Sequence, residues 1–330
     1  MLSGMSGKEE MIAGIDLGGT KIQAVILDAE ENVLGESRHP TPTTGGPDDV
    51  IAAMAEAVVE ACAGAGVDAS SLTAVGVGSP GAVDAEAGTV SSALNLPDWV
   101  GSVPMGPKLT GILGPPSFIG NDVQVATEAE FSAGAGKPYD SLLGVFWGTG
   151  VGGGLILDGK PWLGRGSAGE IGHMVIRRGG AKCPCGRRGC MEAYAGRKAM
   201  EIKAREEVAE GRQTDLFNIM QEHHKDRLTS GIWDRALEHG DDMAIALMDR
   251  AVKALAAGIA SAVNLLDIEA VILGGGLGVR FGDRYLPRIQ SRMHRHLFRD
   301  DDPPAMHVAA LGDLGGAIGA AQLGARGVAA

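Results

Sequence analysis

Three of the chain's four cysteines, Cys183, Cys185 and Cys190, fall within eight residues of one another in the run CPCGRRGC. His173 precedes them at the end of Gly169-Glu170-Ile171-Gly172-His173. Three thiolates and one imidazole fill the four positions of tetrahedral zinc and leave none for water, so the set implies a structural metal rather than one that activates a nucleophile. Clustered thiols in a chain without an export signal read as metal ligands, not as disulfide partners. Glu170 and Glu192 flank these ligands, so the ion would brace two carboxylates. Charged acceptors of this kind suit hydroxyl recognition, each hydrogen bond being worth about 1.5–3 kcal/mol. Cys62, alone among alanines in a helical pattern, reads as a buried thiol.

Three glycine-rich turns suggest chemistry of another kind. In Asp16-Leu17-Gly18-Gly19-Thr20-Lys21 the glycines let backbone N–H groups approach an anion, and Thr20 and Lys21 can donate to phosphate oxygens. Asp16 would then face a metal–phosphate cluster; the plain alternative is a tight hairpin with a solvated carboxylate. The spacing is not that of a Walker A loop. Gly148-Thr149-Gly150-Val151-Gly152-Gly153-Gly154 has five glycines in seven positions, a costly composition that reads as a second phosphate cradle. Gly274-Gly275-Gly276 follows a short apolar strand as a nucleotide-binding turn would, though alone it is a weak signal. No GxGxxG unit with a later acidic residue stands near the start of the chain, which argues against a dehydrogenase. Asn121-Asp122 lies between a strand and a helix, where backbone N–H groups hold a carboxylate ionised and ready as a base; a simple helix cap is the alternative.

The elements that must position these residues follow from periodicity and breakers. Met11–Leu27 reads as two strands about the first turn, Leu72–Val77 and Ser117–Gly120 as strands, and Asp122–Ala135 as a helix. Asp48–Ala65 reads as a helix capped by Asp48. The five prolines between Pro97 and Pro116 predict an irregular segment. In the second half, Leu142–Trp147 and Gly154–Leu157 are strands about the second turn, and Ala270–Leu273 is a strand. Glu192–Gly211, Asp241–Asp267, Leu286–Phe298 and Leu314–Leu323 read as helices, and 211–240 as mixed helix and loop. Strand, glycine turn, strand occurs twice, the sign of two related α/β halves facing a cleft. The expected division is residues 1–121 with 314–330 as a smaller α/β domain, and 122–313 as a larger one carrying the cysteine motif.

Composition sets limits. The chain has 330 residues, 29 Lys and Arg against 41 Asp and Glu, and a formal net charge of −12. Such an acidic chain with no basic stripe is a poor nucleic-acid binder. Glycine, at 52 residues, has about twice its usual share. MLSGMSGKEE has no apolar core, so no signal peptide is expected. The most apolar stretch, Ala251–Leu266, is too short and too polar to span a bilayer. The expectation is a cytoplasmic protein without a membrane partner.

The succession DLGGTK, GSPGAV, NLPDW, ND, GTGVGGG, GEIGHM, CPCGRRGCMEAY and VILGGG, from about Ile12 to Gly324, resembles the ROK sugar kinases, especially their bacterial glucokinases. GEIGHM with CPCGRRGC carries most of that specificity. The resemblance implies a two-domain actin- and hexokinase-like (ribonuclease H-like) α/β fold, with a hexose in the central cleft and ATP, as its Mg²⁺ complex, spanning both lobes. It implies phosphorylation of the 6-hydroxyl, of glucose first and otherwise of mannose, fructose, N-acetylglucosamine or N-acetylmannosamine. Matched by position, Asp122 is the base. Asn121, Glu170, His173 and Glu192 hold sugar hydroxyls, with His173 also a zinc ligand beside Cys183, Cys185 and Cys190. Gly81 and Asn95 border the sugar. Asp16, Gly18, Gly19, Thr20 and Lys21, with Gly148, Thr149 and Gly150, match the phosphate loops, and Gly274, Gly275 and Gly276 the adenosine side. A homo-oligomer is implied as well. Only fifteen residues precede Asp16, too few for the DNA-binding segment of the family's repressors, and Asp122 argues against a non-catalytic sugar sensor. A glycoside hydrolase would have no use for the phosphate turns, and a fold-related ATPase none for the braced carboxylates. Gly196-Arg197 departs from a common Ser-Gly pair.

Overall fold

The computed structural model describes residues 10–93 and 95–329. The first nine residues, which include most of the stretch read for a signal peptide, lie outside the described residues. Two strands, β1 (Ile12–Leu17) and β2 (Lys21–Leu27), flank the first glycine turn, and a third, β3 (Val33–Pro40), follows. Helix α1 spans Pro47–Ala65, with Gly46 rather than Asp48 as its cap. Pro47 needs no amide partner at the first helical position, and Asp49 reaches back to accept the Gly46 N–H at 3.0 Å. Next come β4 (Ala74–Ser79), β5 (Ala82–Asp84), β6 (Thr89–Ser91), α2 (Met105–Leu113), β7 (Ser117–Asn121) and α3 (Asp122–Ser132). Helix α2 replaces the irregular segment expected from the prolines. Pro107 sits in its first turn, where no helical amide is lost, and Pro115-Pro116 lie beyond its end.

The second half runs β8 (Leu142–Trp147), β9 (Val151–Leu157), β10 (Lys160–Pro161), α4 (Glu192–Ala195), α5 (Arg197–Ala209), α6 (Leu216–Glu222), α7 (Ser230–Glu238), α8 (Asp242–Leu266), β11 (Ala270–Gly274), α9 (Gly275–His294), β12 (Ala305–Val308) and α10 (Gly315–Ala329). The helix expected over Glu192–Gly211 breaks at Gly196, whose ψ of 134° is extended. Helix α9 begins directly at the glycine triplet, earlier than the expected Leu286. Its inner face repeats every four residues through Leu277, Phe281, Tyr285, Ile289 and Met293, all buried.

The chain forms two compact units. The first holds the described residues through Gly134, Leu163–Ser167 and the described residues from Leu311 onward. Its sheet has the order β3-β2-β1-β4-β7, antiparallel across β1–β2–β3 and parallel across β1–β4–β7. The second, Ala135–Trp162 with Ala168–Ala310, has the order β10-β9-β8-β11-β12, with β8–β9–β10 antiparallel and β8–β11–β12 parallel. Each unit thus repeats one plan, a hairpin joined to two further parallel strands.

The division differs from the sequence expectation, which cut the chain at 121/122 and 313/314. Residues 122–134 fall in the first unit because α3 packs on α10. A Cβ on Gly319 of α10 would lie 2.2 Å from the Val125 carbonyl oxygen. Arg326 of α10 pairs with buried Glu128 of α3. Against the sheet, α10 approaches even more closely: a Cβ on Gly14 or Gly76 would lie 1.9 or 1.7 Å from the carbonyl oxygen of Ala317 or Ala320. Backbone-to-backbone packing of this kind needs glycine and alanine on both faces. In the second unit the core gathers α8 and α9 around Trp147, Trp233 and Phe281, all fully buried. Among the described residues, no helix is long and apolar enough to cross a membrane.

Candidate functional site

In the first unit the parallel strands end side by side, Asp16 opposite Gly78 and Ser79 opposite Asn121. The carboxyl ends of parallel strands are where open α/β sheets place their ligands. Asp16 closes β1 against the start of α10, where a Cβ on Gly316 would lie 2.8 Å from its Cγ. Burial lifts the Asp16 carboxyl above its ordinary range, Lys21 opposes that rise and Asp313 adds to it. Lys21 itself reaches Asp313 at 3.5 Å. In the turn, the Gly18 N–H donates to the Lys21 carbonyl at 2.9 Å, and the Thr41 hydroxyl donates to the Gly18 carbonyl at 2.6 Å. Gly19 is needed for close approach: a Cβ there would sit 3.0 Å from that of Asn95. Asn95 therefore borders the first glycine turn itself. Gly81 has φ +97°, and a Cβ on it would lie 2.5 Å from the Ser91 carbonyl oxygen, so its place at the entry to β5 is fixed by backbone conformation.

Asn121 is the N-cap of α3, and its side-chain oxygen accepts the Val123 and Gln124 N–H groups, each at 3.1 Å. That oxygen is committed, which leaves the Nδ2 donor as what Asn121 can offer a ligand. Asp122 is the first helical residue, and its Oδ1 accepts the Val123 N–H at 2.9 Å. The capping task thus falls to Asn121, and Asp122 stands beside it as the first residue of the helix.

In the second unit, Gly148 and Gly150 close the β8–β9 turn through an N–H···O bond of 3.0 Å. The first two amides of α5 hold it from outside, Arg197 N–H to the Gly148 carbonyl at 3.0 Å and Lys198 N–H to the Thr149 carbonyl at 3.1 Å. The glycine triplet lies beside this turn: a Cβ on Gly148 would be 3.8 Å from the Gly276 nitrogen. Gly275, at φ +79°, lies against Trp147, its Cβ position 2.7 Å from the Trp147 carbonyl oxygen. The N-terminus of α9 and the second turn thus lie side by side. Gly153 of the run does different work, together with Gly172 beyond it. Gly153 and Gly172 let the Gly169–His173 segment lie on β9, with their Cβ positions 2.6 Å from the Gly169 carbonyl oxygen and 1.9 Å from that of Val151.

That segment carries His173 to the cysteines. Ligand atoms of His173, Cys183, Cys185 and Cys190 all lie within 4.8 Å of one another. The Cys185 and Cys190 sulfurs are 3.7 Å apart, close to the about 3.8 Å edge of a tetrahedron with Zn–S bonds of about 2.3 Å. His173 Nδ1 stands 3.8 Å from the Cys183 sulfur, while Nε2 stands 3.8 Å from Glu170 Oε2. One ring nitrogen thus faces the metal set and the other a carboxylate. Burial pushes the Cys183 thiol up. At Cys185 burial acts the same way, but hydrogen bonds from Arg187 and the neighbouring thiols bring it down to about 7. The donor set fits zinc in number, type and spacing.

Glu192 joins the metal set to the second turn. Its Oε2 accepts the Val151 N–H at 3.0 Å, and its Oε1 lies 3.8 Å from the Cys183 sulfur. A Cβ on Gly150 would be 2.2 Å from Oε2. Sequence reasoning placed Glu192 beside the metal but missed this link, and it missed Thr41 and the Arg197 side chain at the two turns. The departure at Gly196-Arg197 was the one signal available for the last.

The ROK family model matches residues 12–326. A curated glucokinase of Streptomyces coelicolor is 33% identical over 94% of this chain and 96% of its own. An N-acetyl-D-glucosamine kinase of Pectobacterium atrosepticum is 32% identical over 95% of this chain and 98% of its own. Among solved structures, a ROK family glucokinase from Streptomyces griseus in complex with glucose and AMPPNP superposes with a TM-score of 0.81 at 31% identity, covering 96% of this chain and 99% of that one.

Proposed function

We propose that this chain, which belongs to the ROK family, transfers the γ-phosphoryl group of ATP to the 6-hydroxyl of a hexose, glucose before others. The observation that carries the reading is the double engagement of Glu192, with one oxygen on the Val151 amide at the base of the second turn and the other facing the cysteine set. A carboxylate held in this way ties a hydroxyl-recognising group to a phosphate-binding turn.

Phosphoryl transfer asks mainly for positioning and charge stabilisation. Asp122, at the start of α3, accepts the proton of the attacking hydroxyl. The Asn121 amide and the His173 Nε2–H, whose other ring nitrogen faces the metal set, donate to the remaining hydroxyls, and the Glu170 and Glu192 carboxylates accept from them. Gly18, Gly19, Thr20 and Lys21 bind phosphate oxygens at the first turn, Gly148, Thr149 and Gly150 at the second, and Gly274–Gly276 take the adenosine side. The donor would be the Mg²⁺ complex of ATP, and Asp16 is the residue that would serve its metal. Zinc on His173, Cys183, Cys185 and Cys190 would cross-link the segments that carry Glu170 and Glu192 and take no part in the transfer. The similarity to the AMPPNP-bound Streptomyces griseus enzyme supports ATP as donor.

The test is ADP formation with ATP and Mg²⁺, with and without glucose, mannose, fructose, N-acetylglucosamine and N-acetylmannosamine, and with polyphosphate as alternative donor. Hexose-dependent ADP release with a 6-phosphate product is expected, and hexose-independent release would refute the reading. N-acetylglucosamine ranks second as substrate because the Pectobacterium relative named for it matches nearly the whole chain.

A further inference from the structure

We propose that Arg197 is a donor-side positioning residue, whose guanidinium turns the Thr149 hydroxyl toward the phosphates of the phosphoryl donor and adds positive charge at the second glycine turn. The inference rests on the reading that this turn binds ATP. It concerns a side chain that the proposed mechanism does not otherwise use.

Arg197 begins α5 and sends its side chain back to the tip of the turn that its own backbone holds. Nη2 donates to Thr149 Oγ1 at 3.0 Å, and Nη1 donates to the Leu228 carbonyl at 2.8 Å. A guanidinium has donors only. The Thr149 oxygen is therefore the acceptor in this bond, and its single hydrogen is left to point at another group. At a turn flanked by the α9 N-terminus, a phosphate oxygen is the group that accepts it.

Charge argues the same way. Burial is the main influence that makes the positive form of Arg197 less favourable, and the nearby charge of Arg227 adds to it. Glu201 acts in the opposite sense, but its carboxylate is occupied by Arg205 at 2.6 Å and by the Leu228 N–H at 2.9 Å. A part-buried cation whose acidic neighbour is engaged elsewhere is relieved when an anion arrives. The turn does not need this side chain for its shape, because the N–H groups of Arg197 and Lys198 hold its carbonyls whatever the side chains are. Gly196 makes that approach possible, since a Cβ on it would lie 3.2 Å from the Thr149 carbonyl oxygen.

The experiment compares wild type, Arg197→Met, Arg197→Lys, Thr149→Val and the Arg197→Met/Thr149→Val double variant, all zinc-loaded. MgATP binding is measured by calorimetry, and KM is measured for ATP and for hexose. Arg197→Met is expected to raise the ATP Kd and KM about 10-fold or more, with the hexose KM within about twofold. Arg197→Lys should recover part of the loss, because it restores charge without the fork geometry. The double variant should bind ATP no worse than the weaker single variant, since both changes remove one donor. ATP binding unchanged in Arg197→Met, or losses that multiply in the double variant, would overturn this inference alone. A wild type that binds no ATP would overturn the donor assignment and the inference with it.

Discussion

Gly150→Ala tests Glu192 without altering Glu192. Gly150 is not in the left-handed region, so alanine can take its backbone conformation. The new methyl would lie 2.2 Å from Glu192 Oε2 and 3.1 Å from Cδ. The obstacle is the end of a flexible side chain, which yields by swinging away and gives up the 3.0 Å bond to the Val151 amide. That loss costs about 1–3 kcal/mol of stability where no water replaces the acceptor, a few degrees in Tm. The functional consequence is larger. A misplaced carboxylate forfeits a charged hydrogen bond to the sugar of about 1.5–3 kcal/mol, and at about 1.4 kcal/mol per tenfold the hexose KM rises about 10- to 150-fold. Steady-state kinetics against hexose and ATP, with a thermal melt and zinc analysis, separates the outcomes. Zinc content should be unchanged, since none of His173, Cys183, Cys185 and Cys190 is touched. A hexose KM within twofold of wild type would remove Glu192 from sugar binding.

Three further outcomes are expected. Asp122→Asn lowers kcat by about 10²–10⁴ with hexose binding little changed, because asparagine keeps an oxygen for the Val123 amide; wild-type turnover would dismiss Asp122 as the base. Cys185→Ser takes the chain from about one zinc to none by metal analysis and raises the hexose KM, since the segments holding Glu170 and Glu192 lose their cross-link; retained zinc with unchanged KM contradicts this. Asp16→Asn raises Tm at pH 7 while lowering activity. Burial lifts the Asp16 carboxyl in the folded state, so the folded chain takes up a proton there more readily than the unfolded chain. Its contribution to stability is full below the unfolded carboxyl range and falls as pH rises through the folded value. The advantage of the asparagine variant therefore shrinks on acidification, and a Tm gain that instead grew toward low pH would reverse the sign of the argument.

What could be read from the sequence divides by how far the interacting residues lie apart along the chain. The metal set was legible because His173 and the three cysteines are neighbours in sequence and because zinc demands a fixed number of donors of fixed type. The strands around both glycine turns were legible from continuous apolar runs. Helix α2 was not, because prolines counted in a list say nothing of helical position, and Pro107 occupies one of the few that tolerate it. The start of α9 was missed because a glycine triplet reads as a turn even where a helix begins on it. The division at 121/122 failed because α3 belongs with α10, a pairing made by Glu128 and Arg326, which are 198 residues apart.

The candidate site shows the same limit in finer form. A glycine in sequence marks a place where a side chain is not tolerated, and it does not say whether a ligand or another stretch of backbone comes near. Of the run Gly148–Gly154, Gly148 and Gly150 shape the turn, whereas Gly153 yields to the Gly169 carbonyl. The bonds that give the turn its chemical character cross 41 residues from Val151 to Glu192 and 48 from Thr149 to Arg197. Neither spacing follows a local period, so neither could be found before the fold was known. Both bonds converge on one short hairpin, and that makes the sugar and donor sides of the proposed reaction separable by mutation. Gly150→Ala should act on the hexose through Glu192, and Arg197→Met on ATP through Thr149. Were each to disturb both substrates equally, the turn would be a single structural unit and not the meeting point of two binding tasks.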